Sequence, residues 1–180
     1  MSNDLKICGI ILAKENSNRF PGKNWHEVEG IPMFMHGAEF ISSIIKPENV
    51  FIATDSEQVY QYSLRCYNII HREINATHDE QPYLDILRTV YMQLPYSYDI
   101  IISVLANSIN HNIESLKRAI EIMQNDDSID EVRSFDSDGK QSGIFVFRER
   151  FLLNFNTTLH PMASIQDDGR EIHFKEELLR

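Results

Sequence analysis

Short apolar runs of strand length alternate along this chain with segments in which apolar residues recur every three or four positions. That alternation predicts βα units around a largely parallel sheet. Strands are read at Lys6–Ala13, Val50–Thr54 and Asn68–His71. Asp99–Leu105 is the most continuous apolar run and is expected near the centre of the sheet. Ile129–Phe135 and Gly143–Arg148 are two more strands, separated by the turn Asp136-Ser137-Asp138-Gly139-Lys140. Glu171–Phe174 reads as a last short strand before a terminal helix.

The helical periods lie between these runs. Glu29-Gly30-Ile31-Pro32 is a turn, and Pro32 opens a helix with Phe34, Ala38, Ile41 and Ile45 on one face. Asp55 or Ser56 can cap a helix running to Tyr67. A helix ending near Leu94 turns Leu84, Leu87 and Tyr91 inward, and Ile113–Gln124 is amphipathic. Ligands in such sheets gather at the C-terminal ends of the strands. The segments expected there, 14–24, 55–56, 72–80 and 106–112, are all polar.

At 180 residues the chain suits a single domain with a real core. Its net charge of −10 argues against a nucleic-acid partner, which needs a broad positive footprint. The N-terminal apolar run is short and meets Lys14 and Glu15 at once, so no signal peptide is read. With no run long enough for a membrane helix, no membrane partner and a cytoplasmic location are expected. Cys8 and Cys66 sit in apolar or helical segments and read as buried free thiols. The histidines His71, His78, His111 and His160 are scattered and form no metal motif, and no Gly-x-Ser-x-Gly elbow occurs.

Against that acidic background the loop after the first strand stands out. It reads Ala13-Lys14-Glu15-Asn16-Ser17-Asn18-Arg19-Phe20-Pro21-Gly22-Lys23-Asn24 and carries three cations. A basic loop at the end of the first strand suits a phosphorylated ligand. It is not a P-loop: Ser17 stands where the first glycine is needed, and Asn24 where Ser or Thr must follow the lysine. The Gly-x-Gly-x-x-Gly dinucleotide fingerprint is also absent.

The loop resembles the signature of the sugar-acid cytidylyltransferases, the CMP-sialic acid synthetase family, through Ala13, Ser17, Arg19, Pro21, Gly22, Lys23 and Asn24. Lys14 replaces the family's arginine. The likeness continues in Ala53-Thr54-Asp55-Ser56-Glu57, in Arg72 with Asn75-Ala76-Thr77, in Tyr98–Ile101, and in Gly143–Phe147. The resemblance implies an α/β, three-layer nucleotidyltransferase-like (Rossmann-like) fold with a mostly parallel central sheet. It implies transfer of a cytidylyl group from CTP to an acidic sugar, with release of pyrophosphate and with Mg²⁺ (or Mn²⁺) as cofactor. On that likeness Leu12, Ala13, Lys14, Ser17 and Asn24 line the nucleotide, and Arg19 and Lys23, the catalytic candidates, meet its phosphates. Arg72 and Ala76 meet the base, while Asp55, Asn107 and Ser108 face the sugar or ribose.

The chain departs from the family pattern at several points. Glu15 and Asn16 occupy the paired loop glycines, and Leu105 stands where a glutamine grips the acidic sugar. The late Asp-x-Asp metal pair aligns with Glu171 and His173; Glu171 can ligate Mg²⁺, whereas His173 is a poor ligand for so hard a cation and reads as an ordinary strand histidine. Only Asp136–Ser142 separates two strands between which the family inserts its dimerisation arm, so any homodimer must form otherwise. These departures keep two alternatives open. One is a nucleotide-binding protein without catalysis. The other is a small glycosyltransferase using Asp136 and Asp138, although turn chemistry also explains those residues.

Overall fold

The computed structural model describes residues 5–15, 17, 20–72, 82–154 and 160–179. Its strands are β1 Ile7–Ala13, β2 Glu27–Val28, β3 Ile31–Pro32, β4 Val50–Thr54, β5 Asn68–His71, β6 Ile100–Val104, β7 Ser108–Ile109, β8 Glu131–Phe135, β9 Gln141–Arg148, β10 Met162–Gln166 and β11 Arg170–Glu171. Five α-helices, α1 Met33–Ser42, α2 Glu57–Ser63, α3 Tyr83–Tyr91, α4 Ile113–Asn125 and α5 Glu149–Leu153, run between them.

Seven strands form one sheet in the order β10-β8-β9-β6-β1-β4-β5. Only β9 runs against the others, pairing antiparallel with both β6 and β8. The chain builds outward from β1 through β4 to β5, then returns to place β6 on the other side of β1. The gap between β1 and β6 is therefore the point where strand order reverses, and it opens at their C-terminal ends.

Burial explains why the central strands lack polar alternation. β4 and β6 are buried at every position, because helices cover both faces. On one face Ile11, Ile52 and Ile102 pack with Phe34, Ala38 and Ile41 of α1 and Leu116 and Met123 of α4. On the other face Cys8, Ile10 and Ile101 pack with Leu87 and Tyr91 of α3 and Phe151 of α5. Burial in that second layer pushes the Cys8 thiol up, with Glu149 adding to the effect.

Several expectations need correction. The turn read at 29–32 is present but confined to Glu29 and Gly30, which take positive φ, and Ile31–Pro32 is a strand that pairs back on Glu27–Val28. α1 ends at Ser42, so Ile45 lies beyond the helix, and α2 ends at Ser63 rather than Tyr67. Cys66 follows α2 and is exposed, unlike Cys8. The last strand is only Arg170–Glu171, and the terminal helix is a 3₁₀ segment over Lys175–Leu179. Strand β10 and helix α5 have no counterpart among the elements the sequence pattern predicts.

Candidate active site

The register of the parallel strands puts Ala13, Thr54 and His71 on one level, so the segments after β1, β4 and β5 emerge side by side. The polar loop after β1 is tied down at both ends. The Glu15 N–H donates to Asp55 Oδ1 at 2.7 Å, fixing the loop entrance to the end of β4. The Asn24 side-chain amide donates to the Lys14 carbonyl at 2.6 Å, and Asn24 is buried. Between them the Phe20 N–H reaches Ser17 Oγ at 3.4 Å. Gly22 adopts a φ of 70° at the start of the short 3₁₀ turn Lys23–Trp25, a conformation a side chain resists.

Arg72 follows β5, and its N–H donates to the Thr54 carbonyl at 2.8 Å. Its side chain is buried; burial lowers the guanidinium pKa and the Asp55 carboxylate opposes that fall. Asp55 thus serves two neighbours, the loop backbone and Arg72. Arg19 and Ala76 lie outside the described residues.

Across the β1–β6 gap a second group of residues assembles. Asn107 lies in the β6–β7 loop and Ser108 opens β7, which pairs antiparallel with β11 so that Ser108 lies opposite Glu171. Asn107 and Ile172 bond reciprocally: the Ile172 N–H donates to the Asn107 carbonyl at 2.7 Å, and the Asn107 amide to the Ile172 carbonyl at 3.0 Å. Glu177 turns back to accept from the N–H groups of His173 and Phe174. The sequence has thus delivered Glu171 from the far end of the chain to the edge of the β6 loop.

Glu171 joins the two groups. Burial raises its carboxyl pKa, while His173, Lys23 and His111 pull it back down, which places the phosphate-loop lysine within electrostatic reach of this carboxylate. His173, read as an ordinary strand histidine, lies just beyond β11, and its Nε2 stands 3.2 Å from Glu171 Oε2. Tyr83 borders the same region. Burial drives its phenol up, the Ser103 hydroxyl lowers it, and Glu171 raises it again. The Tyr83 hydroxyl bonds Ser103 Oγ at 2.6 Å, and Ser103 donates to the Ile10 carbonyl at 2.7 Å, so a polar relay pins α3 to β6 and β1.

Among the described residues no three of His, Cys, Asp and Glu form a ready-made metal cage. Glu171, opposite Ser108, nevertheless offers a hard oxygen donor, which suits a Mg²⁺ held by one carboxylate and completed by phosphate and water. Asp136 is differently engaged: its Oδ1 accepts from the N–H groups of Asp138 and Lys140, closing its own hairpin.

The family model described as Cytidylyltransferase matches residues 8–163. The chain belongs to the cytidylyltransferase family. This cytidylyltransferase-family chain is 48% identical over 50 residues to a 3-deoxy-manno-octulosonate cytidylyltransferase of a Nitratiruptor species, a stretch covering 28% of the chain and 20% of the relative. It is 36% identical over 75 residues to a protein of the same name from Geobacter metallireducens, covering 42% of the chain and 29% of the relative. The matched stretches thus span under a third of those relatives' own length.

Solved structures extend the likeness to the whole fold. CMP:2-keto-3-deoxy-manno-octonic acid synthetase complexed with CTP superposes with a TM-score of 0.79 at 15% identity, covering 97% of this chain and 95% of that one. The inositol-1-phosphate CTP transferase from T. maritima gives 0.72 at 11% identity, covering 98% and 93%. No helix among the described residues of the cytidylyltransferase-family chain is long and apolar enough to cross a membrane.

Proposed function

We propose that the protein transfers a cytidylyl group from CTP to the hydroxyl of a sugar acid and releases pyrophosphate. The observation that carries this reading is the convergence at the β1–β6 switch point of the loop after β1, tied to Asp55 at the end of β4, and of Glu171, opposite Ser108 after β6, in a chain of the cytidylyltransferase family. The names of the two curated relatives favour a 3-deoxy-manno-octulosonate-like acceptor over sialic acid.

A triphosphate brings about four negative charges, and its reaction is governed by positioning and electrostatic stabilisation. In this reading Lys23 and Arg19 neutralise the phosphates, and Lys14 and Ser17 line the nucleotide. Leu12, Ala13 and Asn24 shape that loop. Arg72 and Ala76 lie on the base side, and Asp55 holds Arg72 and the loop entrance in place. Asn107 and Ser108 shape the acceptor side. Glu171 holds Mg²⁺ or Mn²⁺, which supplies charge neutralisation on the phosphates when bound. The protein works as a single domain in the cytoplasm, and any dimer forms without the family's inserted arm.

Two features favour a second reading, nucleotide binding without turnover: Leu105 in place of the acceptor-gripping glutamine, and a single carboxylate at the metal position. The glycosyltransferase reading is weakened because Asp136 is spent on its own turn. Coupled pyrophosphate detection with CTP, Mg²⁺ and a panel of keto-sugar acids separates enzyme from binder. Failure to bind Mg²⁺–CTP at all removes both.

A further inference from the structure

Residues 108, 111 and 167 make a closed hydrogen-bonded line. His111 Nδ1 lies 2.8 Å from Asp167 Oδ2, and His111 Nε2 lies 2.8 Å from Ser108 Oγ. The His111 and Asp167 side chains are 2% and 0% exposed. The composition is that of a Ser-His-Asp hydrolase triad, but the setting is wrong for one. Ser108 is fully buried, and its hydroxyl also bonds the Leu105 carbonyl at 2.8 Å. Gly143 closes over it: a Cβ at that position would fall 2.5 Å from Ser108 Oγ. A substrate carbonyl has no approach to this oxygen.

The line instead connects four pieces of backbone. Asp167 Oδ1 accepts the Asn112 N–H at the start of α4 at 2.9 Å, and Oδ2 accepts the Gly169 N–H at 2.9 Å. The Asp167 N–H itself donates to the Phe135 carbonyl at the end of β8. Through His111 the carboxylate reaches Ser108, which pairs with Glu171 in the two-stranded β7–β11 sheet. Phe40 of α1 packs on the imidazole, with ring centroids 5.1 Å apart. Gly169 leaves the space the ring fills, since a Cβ there would lie 2.1 Å from His111 Nδ1.

We propose that Asp167 and His111 are positioning residues that clasp the acceptor-side loop to the strand bearing Glu171, and so hold that carboxylate in register with the phosphate loop. This rests on the reading of Glu171 and the 14–24 loop as a cytidylyl-transfer site. A two-residue strand pair such as β7–β11 has little hold of its own. A buried polar device of this kind is also a poor way to gain bulk stability, since apolar packing of the same volume does as well. What it does supply is a fixed direction for the backbone it bonds.

The test compares wild type with Asp167→Asn by amide hydrogen exchange, Mn²⁺ titration in the presence of CTP, and steady-state kinetics. Exchange in segments 105–112 and 167–174 should rise about tenfold or more beyond any change in β1 and β4 of the variant. Mn²⁺ affinity and kcat should fall by about 10- to 100-fold, as for other residues that orient a ligand-bearing group, while the KM for CTP stays within about threefold. Exchange equal to wild type, or raised no more in these two segments than across the large sheet, overturns the clasp. So does a rise in the KM for CTP without loss of kcat. His111→Gln should reproduce the local pattern and decides the matter if Asp167→Asn does not fold. If wild type releases no pyrophosphate with any acceptor, the functional reading fails, and the exchange and Mn²⁺ comparisons still decide whether the clasp exists.

Discussion

The side-chain amide of Asn24 donates to the backbone carbonyl of Lys14 across 2.6 Å, closing the polar loop 14–24 with a part-buried hydrogen bond. The family likeness treats Asn24 as a nucleotide contact, but its amide is already committed to the loop. Asn24→Ala should therefore cost about 1 kcal/mol of stability and weaken CTP binding through loop disorder. Asn24→Asp should be worse, since a carboxylate would face the Lys14 carbonyl. Chemical denaturation beside calorimetric CTP titration checks both.

Lys23 lies within electrostatic reach of Glu171 and is half-exposed. Lys23→Ala should weaken CTP affinity about tenfold or more, the equivalent of roughly 1.4 kcal/mol. Stability should stay within about 0.5 kcal/mol, as for a surface change. Arg19→Ala should behave likewise. CTP affinity equal to wild type in either variant would remove that residue from the phosphate site.

Gly143 adopts a φ of 106° and presses on Ser108. Gly143→Ala combines an unfavourable backbone with a clash against a buried hydroxyl. It should destabilise by about 1–3 kcal/mol and displace β7. A thermal melt and a crystal structure of the variant test the two parts separately.

Asp167 gives the fold a defined acid limit. Burial opposes its ionisation, but hydrogen bonds from His111, Asn112 and Gly169 prevail and hold the carboxyl below the usual range. A depressed folded-state pKa supplies stability above the unfolded value of about 3.9, and this is lost as pH falls below it toward the folded value. Asp167→Asn should cost about 1–3 kcal/mol near neutrality and make the loss of stability below about pH 4 shallower than in wild type. Urea titrations from about pH 7 to about pH 2 read both.

Much of this architecture is legible in the sequence because β1, β4 and β6 are buried on both faces and so appear as unbroken apolar runs. The polar loop is legible as a local motif. β10 is not, because Met162–Gln166 is an edge strand whose alternation is carried inward only by Ala163 and Ile165, with a single buried position, while the apolar Met162 is exposed. α5 is five residues long and continues directly from β9, too short to show a period. The His111–Asp167 pair has no sequence signal: the partners are 56 residues apart, and neither lies in a recognisable motif. Asn24 and Asp55 stand out by their family positions, but their backbone-holding roles come only from the folded geometry.

The account turns on whether the phosphate loop and Glu171 act together on CTP. Pyrophosphate release by the wild-type protein, measured with CTP, Mg²⁺ and a set of keto-sugar acids that includes 3-deoxy-manno-octulosonate, tests this most directly. One pyrophosphate per CMP-sugar formed with at least one acid, abolished in Glu171→Ala, is the predicted result. A protein that binds Mg²⁺–CTP yet releases no pyrophosphate with any acid of the set would contradict it.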